Sequence, residues 1–206
     1  MEKIEPVQTG HAKDVEGAKM GMWVFLFTEM LLFGGLFLLY SVYRSKYGAE
    51  FHGSAAELDI VLGTVNTLIL LTSSLTMVLS LSALQKGQRG LSFLFQSATV
   101  LLGIIFLVNK YFEWSAHIHQ GIYPDSPVLL AMNRGDIIFF SLYFVMTGIH
   151  GLHVLIGAGV IAGMAVLTLQ GKLGGDKSVM LENAGLYWHF VDIIWIYLFP
   201  LFYLIA

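Results

Sequence analysis

Five apolar runs, each long enough to cross a bilayer, dominate this chain and leave almost nothing from which to build a water-soluble core. They cover residues 20–43, 59–84, 91–115, 136–170 and 184–206. A spanning helix needs about 20 mostly apolar residues, and every run meets that length. Composition agrees: 56% of residues are hydrophobic and 12% charged, with a mean hydropathy of +0.73. Soluble domains carry roughly a quarter charged residues. The reading is an all-α integral membrane protein, a bundle of five transmembrane helices. It comprises a polar N-terminal segment (residues 1–19) and a single transmembrane domain (residues 20–206). The polar start, without a short apolar core and cleavage site, does not read as a secretory signal. The absence of cysteine removes disulfides, thiolate metal sites and haem-attachment motifs.

Charge orients the bundle. With five spans the termini lie on opposite sides. Lys3, Lys13, Lys19, Lys86, Arg89, Lys172 and Lys177 fall on the N-terminal side, and Arg44, Lys46, Lys110 and Arg134 on the other. The positive-inside rule then predicts a cytoplasmic N-terminus and a C-terminus outside. Between spans, "QKGQRG" (85–90) reads as a tight cytoplasmic turn and "QGKLGGDK" (170–177) as a flexible cytoplasmic link. In "GIYPDSPVLLAMNRG" (121–135), Pro124 and Pro127 are expected to stop any helix. No internal or inverted repeat is visible, which argues against a simple inverted-repeat transporter. "GVIAG" (Gly159, Gly163) is a weak small-residue seam for another helix.

Polar groups inside the spans carry the functional signal. Glu29 interrupts "VFLFTEMLLFGG" ten residues after Lys19, roughly 15 Å along a helix. An ionised carboxylate there would be unpaired in a low dielectric, so the expectation is a neutral carboxyl that donates a hydrogen bond. It serves either as packing glue between helices or in proton exchange. His150 and His153 share a helix face in "TGIHGLHV", and His189 and Asp192 repeat the spacing in "YWHFVDIIW". Zinc and di-metal sites want three or four convergent ligands, and neither pattern is complete. Haem held by His150 or His153 with His189 stays open beside the simpler reading of hydrogen bonds that pin helices. Lys110 and Glu113 in "NKYFEW" read as an interfacial intrahelical ion pair worth a few tenths of a kcal/mol. The hydroxyls of "NTLILLTSSLTMVLSLS" (66–82) read as groups bonded to their own helix rather than a pore lining. Tyr40, Tyr43, Tyr111, Trp114, Tyr197 and Tyr203 fit an outer aromatic belt.

The order of these motifs resembles subunit III of the haem-copper terminal oxidases. "GMWVFLFTEMLLFGGLF", "NTLILLTSSLTM", "KYFEW", "TGIHGLHVLIG" and "ENAGLYWHFVDIIWIYLF" look like its successive signatures and span residues 21 to 199. The resemblance implies the five-helix bacterial form, which lacks the first two helices of the larger seven-helix subunit. It also implies no catalytic residue, metal or redox cofactor in this chain; haem and copper belong to partner subunits. The implied partners are subunit I directly, subunit II and the rest of the complex, and membrane lipids with bound phospholipid, but no nucleic acid. The implied role is to stabilise a proton-pumping oxygen reductase of the bacterial cytoplasmic membrane and to sustain proton uptake by subunit I. Glu29 matches the family's intramembrane glutamate, with Thr28 in place of the usual Ser. Glu182, His189 and Asp192 match its final-helix signature, and His150 and His153 its paired histidines. The variants are a quinol oxidase and an accessory protein of a nitric oxide reductase. The rival of a different class is a self-contained haem-binding or transport protein.

Overall fold

The computed structural model describes residues 8–173 and 178–204, with side chains from residue 16 onward. Seven helices follow in order: α1 (Gln8–Lys46), α2 (Gly48–Ala55), α3 (Ile60–Gln85), α4 (Arg89–His119), α5 (Pro127–Leu130), α6 (Arg134–Leu169) and α7 (Ser178–Tyr203). Five of them, α1, α3, α4, α6 and α7, are long and apolar enough to cross a membrane. The first apolar run is the later part of a longer helix, because α1 already begins at Gln8. Residues 1–7, 174–177 and 205–206, which fall in the expected N-terminal segment, flexible link and last span, lie outside the described residues.

Local chemistry sets the ends. The Asp59 carboxylate caps α3, accepting from the Val61 and Leu62 amides at 2.9 and 3.1 Å, which satisfies donors a helix start leaves free. Gly87, at φ +75°, makes the turn from α3 to α4, a conformation glycine adopts without a Cβ clash. Two short helices were not anticipated. α2 folds back beneath the C-terminal end of α1 and the N-terminal end of α6: Phe51 is fully buried, and Ser54 donates to Asp136 at 2.8 Å. Pro127 starts α5 instead of preventing a helix. It occupies the first turn behind the Ser126 cap, where a missing N–H costs nothing.

Four helices close a ring: α3 packs along α4, α4 along α6, α6 against α7, and α7 back against α3. α1 leans on α6 and α7 from outside. Tryptophans of α7 fill the ring. Trp188 and Trp195 are fully buried, and their indole N–H groups donate to Ser73 and Thr67 of α3, each at 3.0 Å. Those hydroxyls also donate to their own helix, Ser73 to the Leu70 carbonyl and Thr67 to that of Gly63. The hydroxyl-rich α3 is therefore bonded to itself, as its sequence predicts, and in addition supplies acceptors to α7. Trp188 fits because α4 and α6 present glycine to it: a Cβ on Gly103 would lie 2.7 Å from its ring, and one on Gly157 2.9 Å.

The aromatic belt divides. Tyr111 and Tyr197 are exposed, whereas Tyr40 and Tyr203 are buried. Tyr40 packs edge-on against Phe51 and Phe202. These two tyrosines belong to the core at the end of the bundle that α2 covers.

Candidate functional site: an intramembrane carboxyl–imidazole pair in an apolar cleft

Glu29 is not alone. Its Oε2 lies 3.0 Å from His153 Nε2 on α6, with both side chains largely shielded. His153 Nδ1 sits 2.8 Å from the carbonyl of Ile149 one turn back. A carbonyl only accepts, so Nδ1 carries a proton and donates it there. Nε2 then faces Glu29 either bare, receiving the carboxyl O–H, or protonated, donating to a carboxylate. In both arrangements one proton is held between the two groups. The hydrogen bond expected of Glu29 thus has its partner on another helix, because α1 crosses α6 there.

The pair sits in a cleft of about 540 Å³ between α1 and the α6–α7 groove, lined among others by Met22, Phe25, Ile156, Val160, Met164 and Tyr187. The Tyr187 hydroxyl donates to the His153 carbonyl at 3.3 Å, and its ring packs against Phe25. Beyond one end of the cleft Lys19 and Glu182 form an ion pair at 3.1 Å, tying α1 to α7. Sequence reading names Glu182 but misses Lys19 as its partner. Nothing local links two residues so far apart along the chain. The cleft is a long apolar slot with one proton-holding pair in its wall, and a charged pair stands one turn from Met22.

The other named residues separate. His150 is fully buried and neither ring nitrogen is hydrogen-bonded. It packs between Phe106 and Trp195 instead, with ring centroids at 5.5 and 5.2 Å. His189 turns to α3, where Nδ1 lies 2.6 Å from the Ser74 hydroxyl. Asp192 is buried and carries no hydrogen bond; Ser74 lies beside it with its hydroxyl held by His189. Of the hydrogen bonds expected to pin helices, His153 makes one to Glu29 of α1 and His189 one to Ser74 of α3, whereas His150 makes none. His150, His153 and His189 face the core, α1 and α3 respectively, and among the described residues no three His, Asp or Glu side chains gather as for a metal.

Lys110 and Glu113 do pair, at 3.1 Å, and neighbouring helices bury both side chains. α4 runs on to His119, about one turn past the expected end of the span. Lys110 also donates to the hydroxyls of Tyr143 and Tyr203 at 3.0 and 2.9 Å. Glu113 accepts from both tyrosines. Every charge in this four-residue cluster is hydrogen-bonded, which is what burial of an ion pair demands. The sequence reading sets Tyr203 in a surface belt and does not single out Tyr143, because both contacts cross between helices far apart along the chain.

Comparison with known proteins adds to this geometry. Residues 4–206 match the family described as "Cytochrome c oxidase subunit III". A "Probable quinol oxidase subunit 3" of Staphylococcus saprophyticus is 32% identical over 91% of this chain and 89% of its own length. A "Cytochrome c oxidase subunit 3" of Synechocystis is 34% identical over 95% of this chain and 79% of the relative. A "Heme-copper oxidase subunit I+III" of Aeropyrum pernix is 29% identical over 91% of this chain, which corresponds to 22% of that longer protein.

Proposed function

The chain belongs to the cytochrome c oxidase subunit III family, a multi-pass membrane subunit of haem-copper oxidase complexes, and from that premise we propose that it sustains proton uptake by subunit I through the Glu29–His153 pair. The observation that carries this reading is one proton held between two titratable groups in the wall of an apolar cleft. Such groups within a bilayer are expensive unless they serve a pathway or a partner. The cleft's shape suits the acyl chains of a bound phospholipid, with the Lys19–Glu182 pair at headgroup level. Haem and copper reside in the partner subunits, and this chain supplies no catalytic group. Fusion of subunits I and III in the name of the Aeropyrum pernix relative supports direct association with subunit I, and subunit II completes the assembly. The membrane is the bacterial cytoplasmic membrane, with the N-terminus inside. The electron donor is cytochrome c. Quinol is the second reading, favoured by the staphylococcal relatives, and a copper-ligand cluster in the companion subunit II decides for cytochrome c.

The test is Glu29→Ala in the assembled oxidase. Turnover should slow or fail sooner, with haem content unchanged. The loss should fall well short of the roughly hundredfold drop that follows removal of an acid–base group at a reacting centre. His153→Leu should reproduce it. Unchanged rate and lifetime in both variants, or haem lost in step with activity, would overturn this role.

A further inference from the structure

The ring of α3, α4, α6 and α7 has four outer grooves, and α1 fills the one between α6 and α7. The groove between α7 and α3 carries polar chemistry on its outer face. Near the midpoint of both helices it exposes part of His189 and Ser74, bordered by Leu71, Val78 and Ile193, all of which face outward. Lipid tails offer no hydrogen-bonding group at that depth, and a partly exposed imidazole facing them is costly. Beside His189 is a recess of about 100 Å³ walled by Met77, Val78, Gly185 and Leu186, the size of one aliphatic side chain. Gly185 keeps it open.

The second observation is Asp192, buried against this groove with both oxygens unbonded. A single hydroxyl, that of Ser74, lies between Asp192 and His189. If Ser74 donates to His189 Nδ1, it has no proton left for the carboxyl. If Nδ1 carries the proton and donates to Ser74, the hydroxyl is free to turn and donate to Asp192. The outer nitrogen, Nε2, selects between these states: a donor placed on it keeps the proton on Nδ1. An acceptor there keeps the proton on Nε2 instead, and the Asp192 carboxyl can then bond Ser74 by donating its own proton; in either state the missing component is a hydrogen-bonding side chain approaching from outside the chain at mid-membrane depth.

We propose that the α3–α7 groove is the seat of a transmembrane helix of the haem-bearing subunit, which puts a hydrogen-bonding side chain on His189 Nε2 and an aliphatic side chain in the adjacent recess. This rests on the subunit reading above. Recess and imidazole are about one helical turn apart along α7, so the two partner side chains sit three or four positions apart on one helix. An acyl chain fills the recess but leaves Nε2 without a hydrogen-bonding partner.

Photo-crosslinking residues placed singly at Val78 and Ile193 in the complete oxidase test the assignment, with Val108 of α4 and Leu155 of α6 as the comparison face. The expected result is crosslinking to the haem-bearing subunit at least tenfold stronger from the first pair. His189→Leu should release most of this chain from the complex during detergent washing, and His189→Gln should retain it. Capture of the haem-bearing subunit from Val108 or Leu155 instead would overturn the groove assignment while leaving the subunit reading intact. Crosslinks from Val78 and Ile193 to lipid alone, or to a second copy of this chain, would also overturn it. Failure of every position to reach that subunit, with no co-purification of the unmodified chain, would overturn the subunit reading itself.

Discussion

Lys110 and Glu113 show how far a single residue's role depends on partners that sequence does not announce. As an interfacial pair they would contribute a few tenths of a kcal/mol; buried among Tyr143 and Tyr203 they become a unit. Removing one charge leaves the other in low dielectric without its counterion, a loss of about 3–5 kcal/mol. Lys110→Met and Glu113→Gln should each lower the stability of the detergent-solubilised protein by about that much. The double variant should be more stable than either single one, since it buries no lone charge. Thermal unfolding of all four proteins checks this, and strictly additive losses would show the cluster is not a unit. The same lesson holds at Glu29. Its depth, and hence its need for a partner, was legible from the run of apolar residues around it. Its partner was not, because His153 lies on another helix and the crossing of α1 over α6 is a tertiary fact. His189 and Asp192 share a face, as their spacing requires, yet the bond goes to Ser74, whose hydroxyl looked like ordinary self-bonded helix chemistry.

Among the elements, the five long helices were legible because an apolar run of spanning length has few alternatives in a membrane. The short helices α2 and α5 were not, since each depends on covering an end of the bundle rather than on its own periodicity. α7 is the element the others are fitted around. Half of its apolar window is buried, against 11% for α1, and its tryptophans occupy space cleared by glycines. Gly103→Ala puts a methyl 2.7 Å from the Trp188 ring. That ring is fully buried and cannot swing aside, so the overpacking should cost about 1–3 kcal/mol. Trp188→Phe in the same chain shortens the ring and should recover part of the loss, although it abandons the bond to Ser73. Gly163→Ala, where a methyl meets nothing within 4 Å, should be neutral or slightly stabilising, as alanine usually is in a helix. Melting temperatures of the three variants separate a packing slot from a general demand for glycine. Among the described residues no helix packs on Gly159 or Gly163; within the chain the close approach is made at Gly103 and Gly157.

For the molecule as a whole, topology follows from the way charge is shared between its two ends. Lys86 and Arg89 flank the α3–α4 turn and Lys172 follows α6, whereas Arg44, Lys46 and Arg134 stand at the opposite end. The helix order places the α3–α4 turn and the α4–α5 connection at opposite ends of α4, so labelling both reports orientation directly. A chain with no native cysteine makes the measurement unambiguous. Single cysteines at Gln88 and Asp125 each present one thiol, and a membrane-impermeant maleimide reads which side it faces. In intact cells the Asp125→Cys protein should label and the Gln88→Cys protein should not; permeabilisation should equalise them. The reverse pattern would put the N-terminus outside and move the Lys19–Glu182 pair to the opposite leaflet. Proton support through Glu29 would then have to draw from the outer face, where a pump releases protons rather than taking them up. The labelling pattern therefore decides the topology and, with it, whether the cleft opens toward the side from which subunit I must be supplied.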